Sequence, residues 1–370
     1  MQQLSRQERL DWLQLIRTRN VGPATFSDLI GHFGNAADAL AALPDFARRG
    51  GGKGGFKLAS RKDAERELDR LDALGAQLIA SCEASYPRQL ANCEAPPPLI
   101  SLKGHSHLLH QPCVAVVGAR NASLAGTQIA GQLAQEIGAR QFTIISGLAR
   151  GIDTAAHQSA LASGTGAVLA GGIDIVYPQQ NRKLYDAIAE RGVLVSEMPP
   201  GTEPQARQFP RRNRLISGLS AGVVIIEAAL RSGSLITARF AAEQGREVFV
   251  VPGSPLDPRS RGGNGLIRQG ATLVETADDV LEGLRHVGQA PLAEPQDTPP
   301  MHPPARQLDA SALDRERPRI LALLSPTPVA VDLLIRETGL PTALVSAILL
   351  ELDIAGRLER HAGQRVSLIA

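Results

Sequence analysis

The sequence predicts an α/β protein built on a doubly wound parallel sheet, with a small helical domain before it and a winged helix after it. Three observations predict this. From residue 112 to about 285, short apolar runs alternate with amphipathic segments of helical spacing. The runs end in glycine turns at Gly118, Gly147 and Gly171-Gly172. On either side of this stretch the apolar residues recur at helical spacing, and a two-strand hairpin closes the carboxy-terminal part.

The first βαβ unit is Val114–Ser146. Val114–Val117 reads as a strand that breaks at Gly118, and Ala119-Arg120-Asn121 is a short polar turn. Leu124, Ile129, Leu133 and Ile137 then set a helix, and Phe142–Ile145 is the next strand, ending in Ser146-Gly147. In a sheet of this kind the ligand site lies beyond the carboxyl ends of the strands, where Gly118 and Gly147 fall. The turn lacks G-x-G-x-x-G, because Arg120 stands where the second glycine would let a backbone close on a pyrophosphate. No P-loop motif is present either. An arginine beside a helix amino terminus suits a phosphate, and it equally fits an ordinary solvated loop.

Composition narrows the class. The 370 residues imply two or three domains, and 43% hydrophobic with 21% charged residues is globular composition. A net charge of +2 does not announce a polyanion partner, so any positive field must come from local clustering. Cys82, Cys93 and Cys113 are odd in number and have no C-x-x-C spacing, which speaks against a zinc ribbon or disulfide framework. With no apolar signal core in MQQLSRQERLDW and no run long enough for a bilayer, a cytoplasmic protein without a membrane span is expected.

The helical domain is expected over residues 1–80. Leu10, Leu13 and Ile16 mark one helix, Val21-Gly22-Pro23 a tight turn, and Phe26, Leu29 and Ile30 a second helix. This is the pattern of a helix-hairpin-helix, whose turn amides can hold a DNA phosphate; any αα-hairpin can use the same turn structurally. A connector follows over 81–111 through Pro87 and Pro96-Pro97-Pro98. The α/β domain takes 112–285, with strands at Val114–Val117, Thr143–Ser146, Ala167–Ala170, Val193–Ser196, Val223–Glu227, Val248–Val251 and Thr272–Val274. Residues 286–312 read as a proline-rich linker. Residues 313–370 read as three helices and a hairpin, a winged helix. Its third helix, TALVSAILLELD, has no basic side chain for a major groove, which favours a protein-contact role.

Several strand-end segments should converge with Arg120. Ser146-Gly147-Leu148-Ala149-Arg150-Gly151-Ile152-Asp153 combines permissive glycines, a cation and a helix-capping acid. Gly171-Gly172-Ile173-Asp174 precedes Tyr177-Pro178 and Asn181-Arg182-Lys183. Phe209-Pro210-Arg211-Arg212-Asn213-Arg214 packs three arginines, an amide and a ring into one stretch. Arg231-Ser232-Gly233-Ser234 precedes a helix, and Asn264 is placed on a later loop. Glycine turns also serve topology and arginine runs are often solvated, yet the topology sends all these loops to one edge. His157 reads as a satisfied helix histidine rather than a base; Asp174 and Glu227 could serve as catalytic carboxylates, but strand-end acids commonly cap the next turn or pair with arginine. No catalytic residue, metal site or cofactor is expected. Cationic turns with one aromatic ring describe a binder of single-stranded nucleic acid.

VAVVGAR, ISGLARGID, FPRRNRLISGLS, RSGSLITARFAAEQGREVFVVPG and GGNGLIRQGA together resemble the DprA/Smf family of DNA-processing proteins. The resemblance is dense over about residues 85–285 and looser over the helical domain, described in that family as SAM-like, and the winged domain. It implies an extended Rossmann-like fold without dinucleotide. It also implies a homodimer that binds and protects single-stranded DNA and loads the RecA recombinase in natural transformation. Carried over by motif position, the strand-binding residues are Gly118, Arg120, Ser146, Gly147, Phe209, Arg212, Asn213, Arg214, Gly233, Ser234 and Asn264. Arg150, Gly151 and Lys183 join them from their positions in the turns. One departure is that Ala206, with Arg207 beside it, stands where relatives often carry lysine. Two other readings compete. A nucleoside monophosphate phosphoribohydrolase would need a P-G-G-x-G-T-x-x-E motif, whose threonine and glutamate are missing after Gly171-Gly172. A winged-helix regulator of duplex promoters would need a basic third helix.

Overall fold

In a computed structural model, residues 3–51, 56–288, 310–361 and 363–369 are described. Most of the expected linker, 289–309, lies outside them. The chain divides into two compact units, one of Met1–Gln3 with Glu67–Pro295 and one of Leu4–Arg66 with Gln296–Ala370.

The chain opens with α1 (Arg6–Arg17), α2 (Pro23–Phe33), α3 (Ala36–Arg49) and α4 (Arg61–Ala73). Ser5 caps α1 by accepting from the Glu8 amide, and Glu8 reaches back to the Ser5 amide. Then come β1 (Gln77–Ala80), the single turn α5 (Arg88–Ala91) and β2 (Leu99–Gly104). The alternating stretch follows: β3 (Cys113–Gly118), α6 (Leu124–Ala139), β4 (Thr143–Ser146), α7 (Ile152–Ala160), β5 (Thr165–Val168), α8 (Arg182–Arg191) and β6 (Val193–Ser196). It continues with α9 (Gln208–Gly218), β7 (Gly222–Ile226), α10 (Gly233–Glu243), β8 (Glu247–Val250), α11 (Arg261–Arg268), β9 (Thr272–Leu273) and α12 (Ala277–Gly288).

These strands form one nine-stranded sheet in the order β1-β2-β6-β5-β4-β3-β7-β8-β9. From β6 to β9 every neighbouring pair is parallel, whereas β1 with β2 and β2 with β6 are antiparallel. Alternate residues of β3 serve opposite cores: Val114 and Val116 pack with Ile144, Val224 and Phe249, while Ala115 and Val117 pack with Ile145, Val223 and Val250. A sheet covered on both faces must be apolar on both, which is why its strands read as unbroken apolar runs.

Five expectations change. Gln77–Ala80, expected within the helical domain, is β1, and Leu99–Gly104, expected in the connector, is β2. Together they extend the parallel sheet past β6. The third strand of the alternating stretch is Thr165–Val168, two residues earlier than Ala167–Ala170. The FPRRNR stretch, read as a loop, is helix α9. Pro210 is compatible with it because the third helical residue donates no intrahelical bond. Asn264 lies on helix α11, not on a loop; its Gly262 faces the carbonyls of Ala228 and Ala229, where a Cβ would stand 2.7 Å away.

In the second unit, α1–α3 pack with α13 (Ala310–Leu323), α14 (Val331–Thr338), α15 (Thr342–Ile354) and the small sheet β10 (Val329–Ala330), β11 (Leu358–His361) and β12 (Arg365–Leu368). The sheet runs β10-β12-β11, all antiparallel, which makes the wing. Among the described residues, no helix is long and apolar enough to cross a membrane.

Candidate nucleic-acid interface

The site is organised by the turn after β4. Leu148 has a left-handed backbone, φ 57°, an unusual state for a side chain of its size, and the turn is held from three directions. The Asp153 carboxylate accepts the amides of Gly147 at 3.1 Å and Ala149 at 3.3 Å. The Asn181 amide group donates to the Leu148 carbonyl and to Thr154 Oγ1, both at 2.9 Å. Arg212 Nη1 donates to the carbonyls of Gly147 at 2.5 Å and Val168 at 2.6 Å. A Cβ on residue 147 would overlap the Arg212 guanidinium, and one on residue 151 would overlap the Ala119 carbonyl. Gly151 also has φ 75°, so the turn needs both glycines.

Arg212 is 6% exposed. Burial lowers its pKa to about 10, with nearby Asp153 opposing the shift, so it stays charged at neutral pH. Burial pushes the Asp153 carboxyl up, and Arg212 pulls it back. Arg212 Nε donates to Asn213 Oδ1 at 3.2 Å, and its Nη2 has no partner among the described residues.

Above Arg212 is a pocket of about 420 Å³. Arg120 and Arg150 supply two more cations, Tyr177 and Phe209 supply rings, and Gly147, Ala149, Pro178, Gln179 and Gln180 complete the wall. The Arg120 guanidinium carbon is 5.2 Å from the Phe209 ring centroid. The Tyr177 ring centroid is 5.5 Å from the same ring, tilted by 58°. Three guanidinium groups beside two rings can seat phosphate on one side and stack an unpaired base on the other.

Five of the expected residues therefore meet at this pocket: Arg120, Gly147, Arg150, Phe209 and Arg212. The others stand elsewhere. Gly151 shapes the turn from behind. Gly118 lies where a Cβ would overlap the Ile226 carbonyl, so its absence of side chain serves the pairing of β3 with β7. Ser146 is fully buried and donates to the Val116 carbonyl at 2.6 Å, and it is not part of the pocket lining. Arg214 is held by Glu197 through Nη2 at 2.6 and 2.7 Å, an ion pair between α9 and the end of β6. Asn213 donates to the Gly233 carbonyl at 3.2 Å, tying α9 to the head of α10. Ser234 Oγ is 2.7 Å from Ser232 Oγ in that same cap. Asn264 bonds the Gly253 amide at 3.2 Å and carbonyl at 2.7 Å. Lys183 is exposed on the first turn of α8, outside the pocket lining. Sequence reasoning missed Gln179 and Gln180, whose position right after Tyr177-Pro178 was the available signal.

The acids and the histidine are engaged in structure. Glu227 accepts the Ser123 amide at 2.8 Å and the Ser123 hydroxyl, which in turn caps α6 at the Gly126 amide. Asp174 pairs with Arg70 at 2.6 Å and accepts the Gly201 amide at 2.7 Å. His157 is fully buried; its Nδ1 donates to Thr165 Oγ1 at 2.7 Å, because that hydroxyl donates to the Ile144 carbonyl. Burial lowers its pKa to about 3, which keeps it neutral.

Comparison with known proteins gives three family matches. DNA recombination-mediator protein A matches residues 77–285, the DprA-like N-terminal HHH domain residues 6–69, and the DprA winged helix domain residues 302–364. Protein Smf of Escherichia coli K12 is 40% identical over 311 residues, covering 83% of this chain and 82% of that protein. DNA processing protein DprA of Streptococcus pneumoniae R6 is 46% identical over 198 residues, 53% of this chain and 70% of that one. Among solved structures, S. pneumoniae DprA superposes with a TM-score of 0.63 at 35% identity, covering 76% of this chain and 98% of that chain. DNA processing protein A of Helicobacter pylori, solved for its single-stranded DNA binding mode, gives a TM-score of 0.53 at 30% identity, with 57% and 96% covered.

Proposed function

The chain belongs to the DprA/Smf family of DNA-processing proteins, and from that premise we propose that it binds single-stranded DNA and delivers it to a RecA-type recombinase. The observation that carries this reading is the pocket over Arg212. Its lining combines the buried, charged Arg212 with Arg120 and Arg150, and Phe209 with Tyr177 adds apolar ring surface. Phosphates of one strand sit on the arginines while an unpaired base stacks on a ring. A duplex keeps its bases paired and stacked, so it gains the charge contacts alone. The relation to the H. pylori protein, whose structure was solved for its single-stranded DNA binding mode, supports the same assignment.

The protein acts as a homodimer in the cytoplasm, protecting strands that enter during transformation and placing the recombinase on them. It is a mediator, not an enzyme. The two acids best placed for catalysis by sequence, Asp174 and Glu227, hold Arg70 and the α6 cap respectively, and the buried neutral His157 is no base for the pocket.

The test is recombinase nucleation on strands coated with single-strand-binding protein. Substoichiometric addition of this protein should shorten the nucleation lag, with no ATP hydrolysis of its own and no cleavage of the strand. Intrinsic nucleotide turnover abolished by Asp174→Ala or Glu227→Ala, with an unchanged lag, would point to an enzyme instead.

A further inference from the structure

The second unit contains the two elements that its component folds turn toward DNA: the α1–α2 turn of the helical hairpin and the third helix of the winged domain, α15. In this chain they face each other. Leu350 and Ile354 of α15 share one apolar cluster with Phe26 of α2 and Leu43 of α3. Of its thirteen residues, α15 exposes Thr342, Ala343 and Ser346, all near its start and none of them basic.

Polar contacts fix the same arrangement. Asn20, in the hairpin turn, donates to the Ile354 carbonyl at 3.0 Å. Thr25, in the first turn of α2, donates to Asp353 Oδ2 at 2.8 Å. A carboxylate thus stands beside the helix end where a helix-hairpin-helix would receive a phosphate. The cations of the winged domain near this face are already engaged. Arg360 joins Asp28 and Asp353, each at 2.7 Å, and Arg357 donates to the Gly50 carbonyl at 3.2 Å. Glu351, fully buried, lies between Arg49 of α3 at 3.2 Å and Arg317 of α13 at 2.5 Å. Removing one member of such a buried group leaves charge without compensation, so the docking is strongly specified.

We propose that the helical hairpin and the winged helix are each other's partner: they close into one clamp in which the hairpin turn and α15 cover one another, and neither touches DNA while the clamp is closed. The winged domain is then a docking module for the amino-terminal domain, and strand binding falls to the other unit.

The full-length chain carrying Thr25→Cys and Asp353→Cys tests this. Mild oxidation should join the two cysteines, seen as a linked peptide pair. The locked protein should bind single-stranded and duplex oligonucleotides within about twofold of the reduced form, a difference of about 0.4 kcal/mol. Failure to cross-link, or a loss of about tenfold in DNA affinity on locking that reductant restores, would overturn the proposal. The result does not depend on the α/β pocket, because each comparison is between two states of one protein. Should the cysteines disturb folding, Arg49→Glu gives a second test. Amide exchange should rise about tenfold or more in both α3 and residues 349–354, with β3–β8 unchanged. A rise confined to α3, or none, would contradict the clamp.

Discussion

Arg212 is both core and site: its Nε and Nη1 make three hydrogen bonds to protein acceptors, and the residue also lines the pocket. Arg120 is different, because it reaches the pocket from the turn after β3 and rests on the face of Phe209. Arg120→Ala should weaken binding to all strand sequences alike, read by titration against homopolymer and mixed oligonucleotides. Phe209→Ala should cost about 1–3 kcal/mol of strand binding while the melting temperature stays close to wild type. Arg214→Ala should do the reverse. It removes the ion pair to Glu197, a contact whose two side chains are only 18% and 9% exposed, so stability should fall by on the order of 3 kcal/mol with little change in affinity per folded molecule. His157 gives a pH signature. Unfolded, it takes up a proton below its ordinary 6.5, whereas folded it does so only near about 3. Stability is therefore lost as pH falls through that window, by about 1.4 kcal/mol per unit from this one group. In His157→Asn, which retains a donor for Thr165, denaturation between about pH 6 and about pH 4 should show a correspondingly shallower loss. The motif made Arg120 and Phe209 legible in the sequence. Motif position also named Ser146 and Arg214, but not their structural partners, the Val116 carbonyl and Glu197, which come from strands distant in the chain.

At the scale of elements, the site is a left-handed turn clamped between α7 and α9. Gly147→Ala should be severe, because the new methyl would displace the Arg212 guanidinium, which lines the pocket. We expect loss of strand binding with the sheet intact by circular dichroism. The parallel strands were readable from their unbroken apolar runs, because both faces of the sheet are covered. Helix α9 was hidden for a local reason: Pro210 reads as a breaker, although its place in the first turn spares the hydrogen-bond ladder. Helix α11 was hidden by Gly262, Gly263 and Gly265, which lower helix propensity, while Gly262 permits close approach to the Ala228–Ala229 backbone. Strands β1 and β2 were obscured because one precedes and the other follows a proline-rich stretch.

Across the whole molecule, the net charge of +2 gives no hint of a nucleic-acid partner, and the clustering of Arg120, Arg150 and Arg212 supplies the local field instead. The composite terminal unit could not be read from sequence order, since its halves lie at opposite ends of the chain. One trace was present: α15 is apolar around most of its circumference, which a helix tolerates when two partners cover it. The winged-domain core takes one side, and α2 with α3 takes the other. The most direct test of the central claim is the salt dependence of binding to a single strand and to a duplex of equal length, for wild type and Arg120→Ala. With three arginines at the pocket, about three phosphates are neutralised, and log affinity for the single strand should fall against log salt with a slope near about −2. The variant should bind more weakly with a slope shallower by about 0.7, and the duplex should bind less tightly than the strand throughout. Equal affinity for strand and duplex, or a slope unchanged by Arg120→Ala, would contradict the account.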